Sequence, residues 1–243
     1  MILGVHAWVL AVLALTFTVG ATTQGLVGLG VGMVSAPVTA LVAPTLVPEL
    51  LLWVALTMPM VTLTRDRHAI DWRGLAWAVP ARIPGTALGV LLVGWFSARE
   101  ISVFVGVMVL ASVLLTVRTL EVPIRPGTLV GAGLISGATG TASSIGGPPI
   151  ALLYQHRDPE QVRSTLAVYF LLGATFSLVG LGLSGQLTAS TFWLAVLMLP
   201  CLVLGFGLSR ALHRVVPRHH LRTGVLLVCG LSSVTLLVRS LLG

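Results

Sequence analysis

The chain has 243 residues, a mean hydropathy of +1.03 and 9% charged residues, where a soluble domain carries roughly a quarter. So little charge cannot coat a soluble surface, and the chain reads as an all-α integral membrane protein. Its net charge of +7 would suggest nucleic acid in a soluble protein, but the arginines that supply it (the chain has no Lys) fall, Arg82 apart, in loops or at the ends of apolar runs, where membrane orientation accounts for them.

The first apolar region runs from about Val5 to Pro48 and is broken at GLVGLGVG, Gly25 to Gly32. A second span covers about Glu49 to Thr64, followed by the loop RDRHAIDWR. A third covers about Gly74 to Phe96 and a fourth about Ile101 to Val117. The linker RTLEVPIRPG, residues 118–127, separates a first repeat (1–117) from a second (128–243). The second repeat opens on another broken segment, Thr128 to Leu153, and the polar loop YQHRDPEQVR. Spans follow at about Ser164 to Leu183, Thr191 to Leu212 and Leu221 to Leu241. Trp53, Trp72, Trp77, Trp95 and Trp193 fall near span ends, as interfacial anchors do. Cys201 and Cys229 lie inside apolar runs and read as packing residues.

The halves share a register. Pro37 matches Pro148, Pro48-Glu49 matches Pro159-Glu160, and Pro80 with Gly85 matches Pro200 with Gly205. Their loop charges are swapped. Arg65, Arg67 and Arg73 follow the second span of the first half, where the second half has the uncharged SGQLTAST. The next loop is nearly neutral in the first half, whereas its partner holds Arg210, Arg214, Arg218 and Arg222. Swapped bias predicts two inverted repeats, each a re-entrant broken-helix hairpin plus three transmembrane helices. Arg118, Arg125, Arg157 and Arg163 then join the cytoplasmic set, and Arg99 and Arg239 lie outside.

The breaks are the candidate site. Gly133 to Ile150, GLISGATGTASSIGGPPI, cannot be one smooth helix, since Gly costs about 1 and Pro about 3 kcal/mol inside a helix. Broken backbone in a membrane survives only where protein buries it or a wet cavity adjoins it, and such breaks point to transporter sites. The helix resuming after each tip presents free N–H groups and the positive end of its dipole, suited to an anion. The candidate binding residues are Gly28, Gly30, Gly32, Gln24 and Ser35 from the first hairpin. The second contributes Thr139, Gly140, Thr141, Ser143, Ser144, Gly146 and Gly147. Arg82, deep in the third span, is the most unusual charge, and Arg163 could face the same cavity. Every carboxylate maps to a loop or span end, and no nucleophile–base pair or His/Cys ligand set appears. The expectation is therefore no enzyme, no cofactor and no metal, with a small anion and the bilayer as partners.

The recurrence of GLVGLGVGMVSAPVTAL as GLISGATGTASSIGGPPIALL, and of PARIPGTALG as PCLVLGFG, resembles the TauE/SafE family of sulfite and organosulfonate exporters over nearly the whole chain. Family members usually carry a compact Gly-Gly-Gly in the first hairpin, spread here as Gly28, Gly30 and Gly32. The resemblance implies a multi-pass inner-membrane transporter of small sulfur-containing anions, with export needing no coupling ion. The residues themselves leave open an anion channel or a non-transporting membrane subunit.

Overall fold

The computed structural model describes residues 4–27, 31–64, 69–117, 122–212 and 218–242. The expected positions Gly28, Gly30, Arg65, Arg67, Arg118 and Arg214 lie outside them. The described residues are all-helical. In chain order the helices are α1 (Ala7–Val27), α2 (Val31–Val42), α3 (Glu49–Ala55), α4 (Thr57–Leu63), α5 (Trp72–Trp95) and α6 (Ala98–Val117). They continue with α7 (Pro126–Ser143), α8 (Gly147–Tyr154), α9 (Pro159–Leu183), α10 (Ala189–Leu212) and α11 (Arg218–Leu242).

Local chemistry sets the boundaries. Asp71 caps α5 by accepting from the Gly74 N–H, and Asp158 caps α9 from the Glu160 N–H. α7 and α9 begin on Pro126 and Pro159, where the missing N–H is harmless. The expected second span is present but divided and short. Pro59 has no N–H to donate to the Ala55 carbonyl, and the helix breaks at Leu56 between α3 and α4.

Among the described residues six helices are long and apolar enough to cross a membrane: Ala7–Leu26, Trp72–Trp95, Ala98–Thr116, Pro159–Leu183, Ala189–Leu212 and Gly224–Leu242. The first of these is the leading arm of the first expected hairpin, so that hairpin is lopsided. Its leading arm α1 has 21 residues and its return arm α2 has 12. The second repeats the pattern, with 18 residues in α7 and 8 in α8.

Close backbone approach fixes how the helices run. A Cβ at Gly133 would lie 2.5 Å from the Ala78 carbonyl, Gly137 faces the Arg82 carbonyl, and Gly89 faces Ala138 and Thr141, so α5 and α7 run parallel in tight contact. α9 runs with them, Gly173 lying at Arg82 and Gly180 at Val90. The short 184–188 turn reverses the chain into α10. α10 in turn runs parallel to α1, with Gly205 on the Thr18 carbonyl and Gly25 on Ser209. α1 therefore points opposite to α7. α6 and α11 pack antiparallel, Gly106 meeting Leu237 while Arg99 reaches the Ser240 and Leu241 carbonyls.

Two cores result. The larger gathers Leu13, Phe17, Leu50, Val105, Leu194 and Leu236 around the first hairpin. The smaller surrounds the second with Leu75, Leu129, Ile150, Tyr154 and Tyr169. Large apolar side chains also cover the outside, among them Leu88, Leu183, Val203 and Leu231, as a lipid-facing surface requires. Trp72, Trp77, Trp95 and Trp193 are exposed as anchors should be. Trp53 is not an anchor: it turns inward and packs edge-on against Phe192 at 5.0 Å. Arg99 and Arg239 end on carbonyls near the C-termini of α11 and α2, where a helix dipole favours a cation. The two cysteines are free, and Cys229 is buried.

Candidate functional site: a buried guanidinium beside the second break

Arg82 lies near the middle of α5, about 15 Å from its start at about 1.5 Å per residue. Its side chain is 4% exposed and turns inward rather than toward either interface. The flanking Pro80 and Pro84 remove two backbone donors, so the helix wall there is already short of hydrogen bonds. The guanidinium is enclosed by two neighbouring helices, α7 and α9. From α7, Ser136 Oγ accepts from Nη1 at 3.3 Å. From α9, the Tyr169 ring lies under Cζ at 4.7 Å to its centroid, a cation–π distance. Gly173, also on α9, leaves the space the guanidinium fills, and any Cβ there would collide with it.

The second break is tied to this group. Ser136 Oγ donates to the Gly146 carbonyl at the tip. Gly140 is the spacer between the two: a Cβ there would meet Arg82 Nη2 at 3.0 Å and Gly146 Cα at 3.1 Å. The site thus brings together Arg82, Ser136, Gly140, Gly146, Tyr169 and Gly173. Among the described residues no carboxylate pairs with Arg82, and its Nε has no hydrogen-bond partner.

The other expected residues are placed elsewhere. Gln24 Oε1 accepts from the Val31 N–H at 2.6 Å and so already caps α2. Ser35 is fully buried against Gly20, its hydroxyl unpartnered. Gly32 touches the Ser144 carbonyl, so the two hairpins meet at their breaks. Ser144, in the left-handed region at φ 61°, donates to the Pro48 carbonyl at 3.0 Å. Thr139 and Ser143 donate to carbonyls of their own helix, those of Ile135 and Thr139. Thr141 bonds Ser177 on α9 at 2.7 Å, farther along the same interface. Gly147 faces Phe170, and Arg163 is exposed near the start of α9. The free amides are fewer than a helix start supplies, because Pro148 and Pro149 remove two donors from the first turn of α8. The charge of Arg82, more than a helix terminus, defines the site.

Sequence reasoning missed Ser136, Tyr169 and Gly173. A signal existed in the four-residue spacing of Ser136 and Gly140, and of Tyr169, Gly173 and Ser177, which puts each set on one helix face.

These features define a multi-pass, all-helical membrane protein that holds a cation beside a broken helix. The chain belongs to the sulfite exporter TauE/SafE family, whose model matches residues 12–236, and as a member of it is a membrane transporter. A relative from Cupriavidus necator (strain ATCC 17699 / DSM 428 / KCTC 22496 / NCIMB 10442 / H16 / Stanier 337), named probable sulfite/organosulfonate exporter TauE, is 27% identical over 218 residues, 83% of this chain and 84% of its own length. No solved structure matches the chain.

Proposed function

We propose that this transporter moves a small sulfur-containing oxyanion, a sulfite or an organosulfonate, outward across the cell's inner membrane. On this reading Arg82 holds the anion beside the second break, and the protein is built from two inverted repeats, residues 1–117 and 128–243. The carrying observation is the buried guanidinium with no carboxylate beside it among the described residues. A charge at such depth costs at least about 2.5 kcal/mol on insertion scales, and a bound anion offsets that. The opposed directions of α1 and α7, and the reciprocal packing of α5 on α7 and α10 on α1, support the repeat arrangement. Direction follows from the membrane potential, since about 100 mV, negative inside, drives each anionic charge outward by about 2.3 kcal/mol. The name of the Cupriavidus relative supports the substrate class.

The test is efflux of labelled sulfite and of a labelled organosulfonate from liposomes carrying the purified protein. The parent should exchange both saturably. Arg82→Gln should lose most of that exchange while inserting normally. Exchange by Arg82→Gln at the parent's rate would remove Arg82 from the site, and a non-saturating flux would favour a channel.

A further inference from the structure

Buried polar atoms nearly always find a partner, so those that do not are informative. Among the described residues the orphans are Ser35 Oγ, Thr39 Oγ1, Trp53 Nε1, Gln186 Oε1, Arg82 Nε, Thr86 Oγ1 and Tyr169 OH. The first four are scattered over α2, α3 and the α9–α10 turn. The last three fall in one place, the seam where α5, α7 and α9 run parallel. Thr86 is one turn beyond Arg82 on α5, with its backbone N–H against Gly137 and its methyl toward Gly180 on α9. Tyr169 holds the guanidinium on its ring from α9. All three residues are at least nine-tenths buried, with exposures of 4, 5 and 0% for Arg82, Thr86 and Tyr169. Each orphan can donate: a guanidinium N–H, a hydroxyl and a phenol.

Resting on the anion-site reading above, we infer that Arg82 Nε, Tyr169 OH and Thr86 Oγ1 form a three-donor cradle for a head group with three equivalent oxygens and a single negative charge. A sulfonate has that form, and so does hydrogen sulfite protonated on sulfur. Three unsatisfied donors match three acceptor oxygens, and a neutral ligand would leave the guanidinium uncompensated. The charge match follows from the census of the seam. Arg82 is its one cation among the described residues, and Ser136, Thr141, Ser177, Thr86 and Tyr169 are neutral. A dianion would bring a second charge with no counterpart. Tyr169 and Thr86 are thereby specificity-determining residues for the transporter.

Isothermal titration of the purified protein with methanesulfonate and with sulfate tests this. Methanesulfonate should bind at least tenfold more tightly than sulfate. Tyr169→Phe and Thr86→Val should each weaken methanesulfonate binding about tenfold or more, the usual size for a hydrogen bond to a charged group. Thr86 Oγ1 has no hydrogen-bond partner in this structure, and Tyr169→Phe keeps the ring that lies against Arg82, so both changes leave the packing of the seam in place. Sulfite should lose affinity as pH rises through its second ionisation, while methanesulfonate, which does not titrate, should not. Parent-like binding by both hydroxyl variants, with Arg82→Gln still defective, overturns the cradle and leaves the anion site standing. Parent-like binding by Arg82→Gln as well overturns the anion site itself. Sulfate binding equal to or tighter than methanesulfonate overturns the single-charge match.

Discussion

The two hairpins share a plan and differ in chemistry. Each has a long leading arm and a short return arm, and each leading arm lies parallel to a glycine-bearing helix from the other half. Each also closes on a serine–glycine crossing, but with the partners exchanged. In the first, Ser35 of the return arm faces Gly20 of the leading arm; in the second, Ser136 of the leading arm bonds to Gly146 across the break. The register of Pro80 and Gly85 on Pro200 and Gly205 sets Arg82 against Leu202, which is 2% exposed within the larger apolar core. One crossing is therefore wired to a cation and the other adjoins an apolar core. On the proposed repeat arrangement the scaffold recurs while the buried cation occurs once among the described residues, so the first half would serve as an internal control for the second.

The largest effect is expected from forcing the halves to match. Leu202→Arg places an unpaired charge in the apolar core, a change of roughly 3–5 kcal/mol. It should abolish the recovery of monodisperse protein in detergent. A folded Leu202→Arg protein that gains stability from methanesulfonate would mean that both halves can host the site.

The converse change, Arg82→Leu, should leave a protein that folds and, without anion, melts at or above the parent temperature, because an uncompensated buried charge is gone. Its stabilisation by added anion should vanish. Collapse of this variant would make the guanidinium a structural strut instead.

The two serines sharpen the contrast. Ser136→Ala leaves the Gly146 carbonyl and Arg82 Nη1 without a partner, so a loss of about 1–3 kcal/mol is expected in chemical denaturation. Ser35→Ala removes a hydroxyl that has no partner and should change stability by less than about 0.5 kcal/mol. Equal losses would erase the distinction between the crossings. The mildest test perturbs nothing. Single cysteines at Ala43 and Arg157, just past the two return arms, should react with an impermeant reagent from opposite sides of the membrane. Labelling from one side would refute inverted halves.

Much of this was legible in the sequence because glycine, proline and an intramembrane arginine have few roles in lipid. The GGPP run marked the break and Arg82 was conspicuous by depth alone, whereas Pro126 and Pro159, which start α7 and α9, fell within the stretches read as linker and loop. Thr86 was not conspicuous, since one threonine in an apolar helix carries no spacing that separates a site from packing, and Tyr169 showed only as one member of the Tyr169, Gly173, Ser177 face. The division at Leu56 was missed although Pro59 announced it, because the surrounding apolar run is continuous. The role of Gln24 as a cap on α2 depends on how the chain folds back, which composition does not encode.

The seam around Arg82 is tied at both ends. At the start of α5 and α9, Asp71 accepts from the Tyr154 hydroxyl while its own N–H donates to Thr165. At the far end of α9, the Glu49 carboxylate accepts from the Thr188 N–H and hydroxyl, and Ser144 holds the adjoining Pro48 carbonyl. An ion reaching the guanidinium must therefore leave its hydration shell behind. In the Born picture that penalty rises with the square of the ion's charge, whereas attraction to one fixed cation rises only in proportion to it. Doubling the charge quadruples the dehydration term and merely doubles the return. A buried seam with one cation among its described residues thus discriminates by valence through solvation alone, with no need for a size filter.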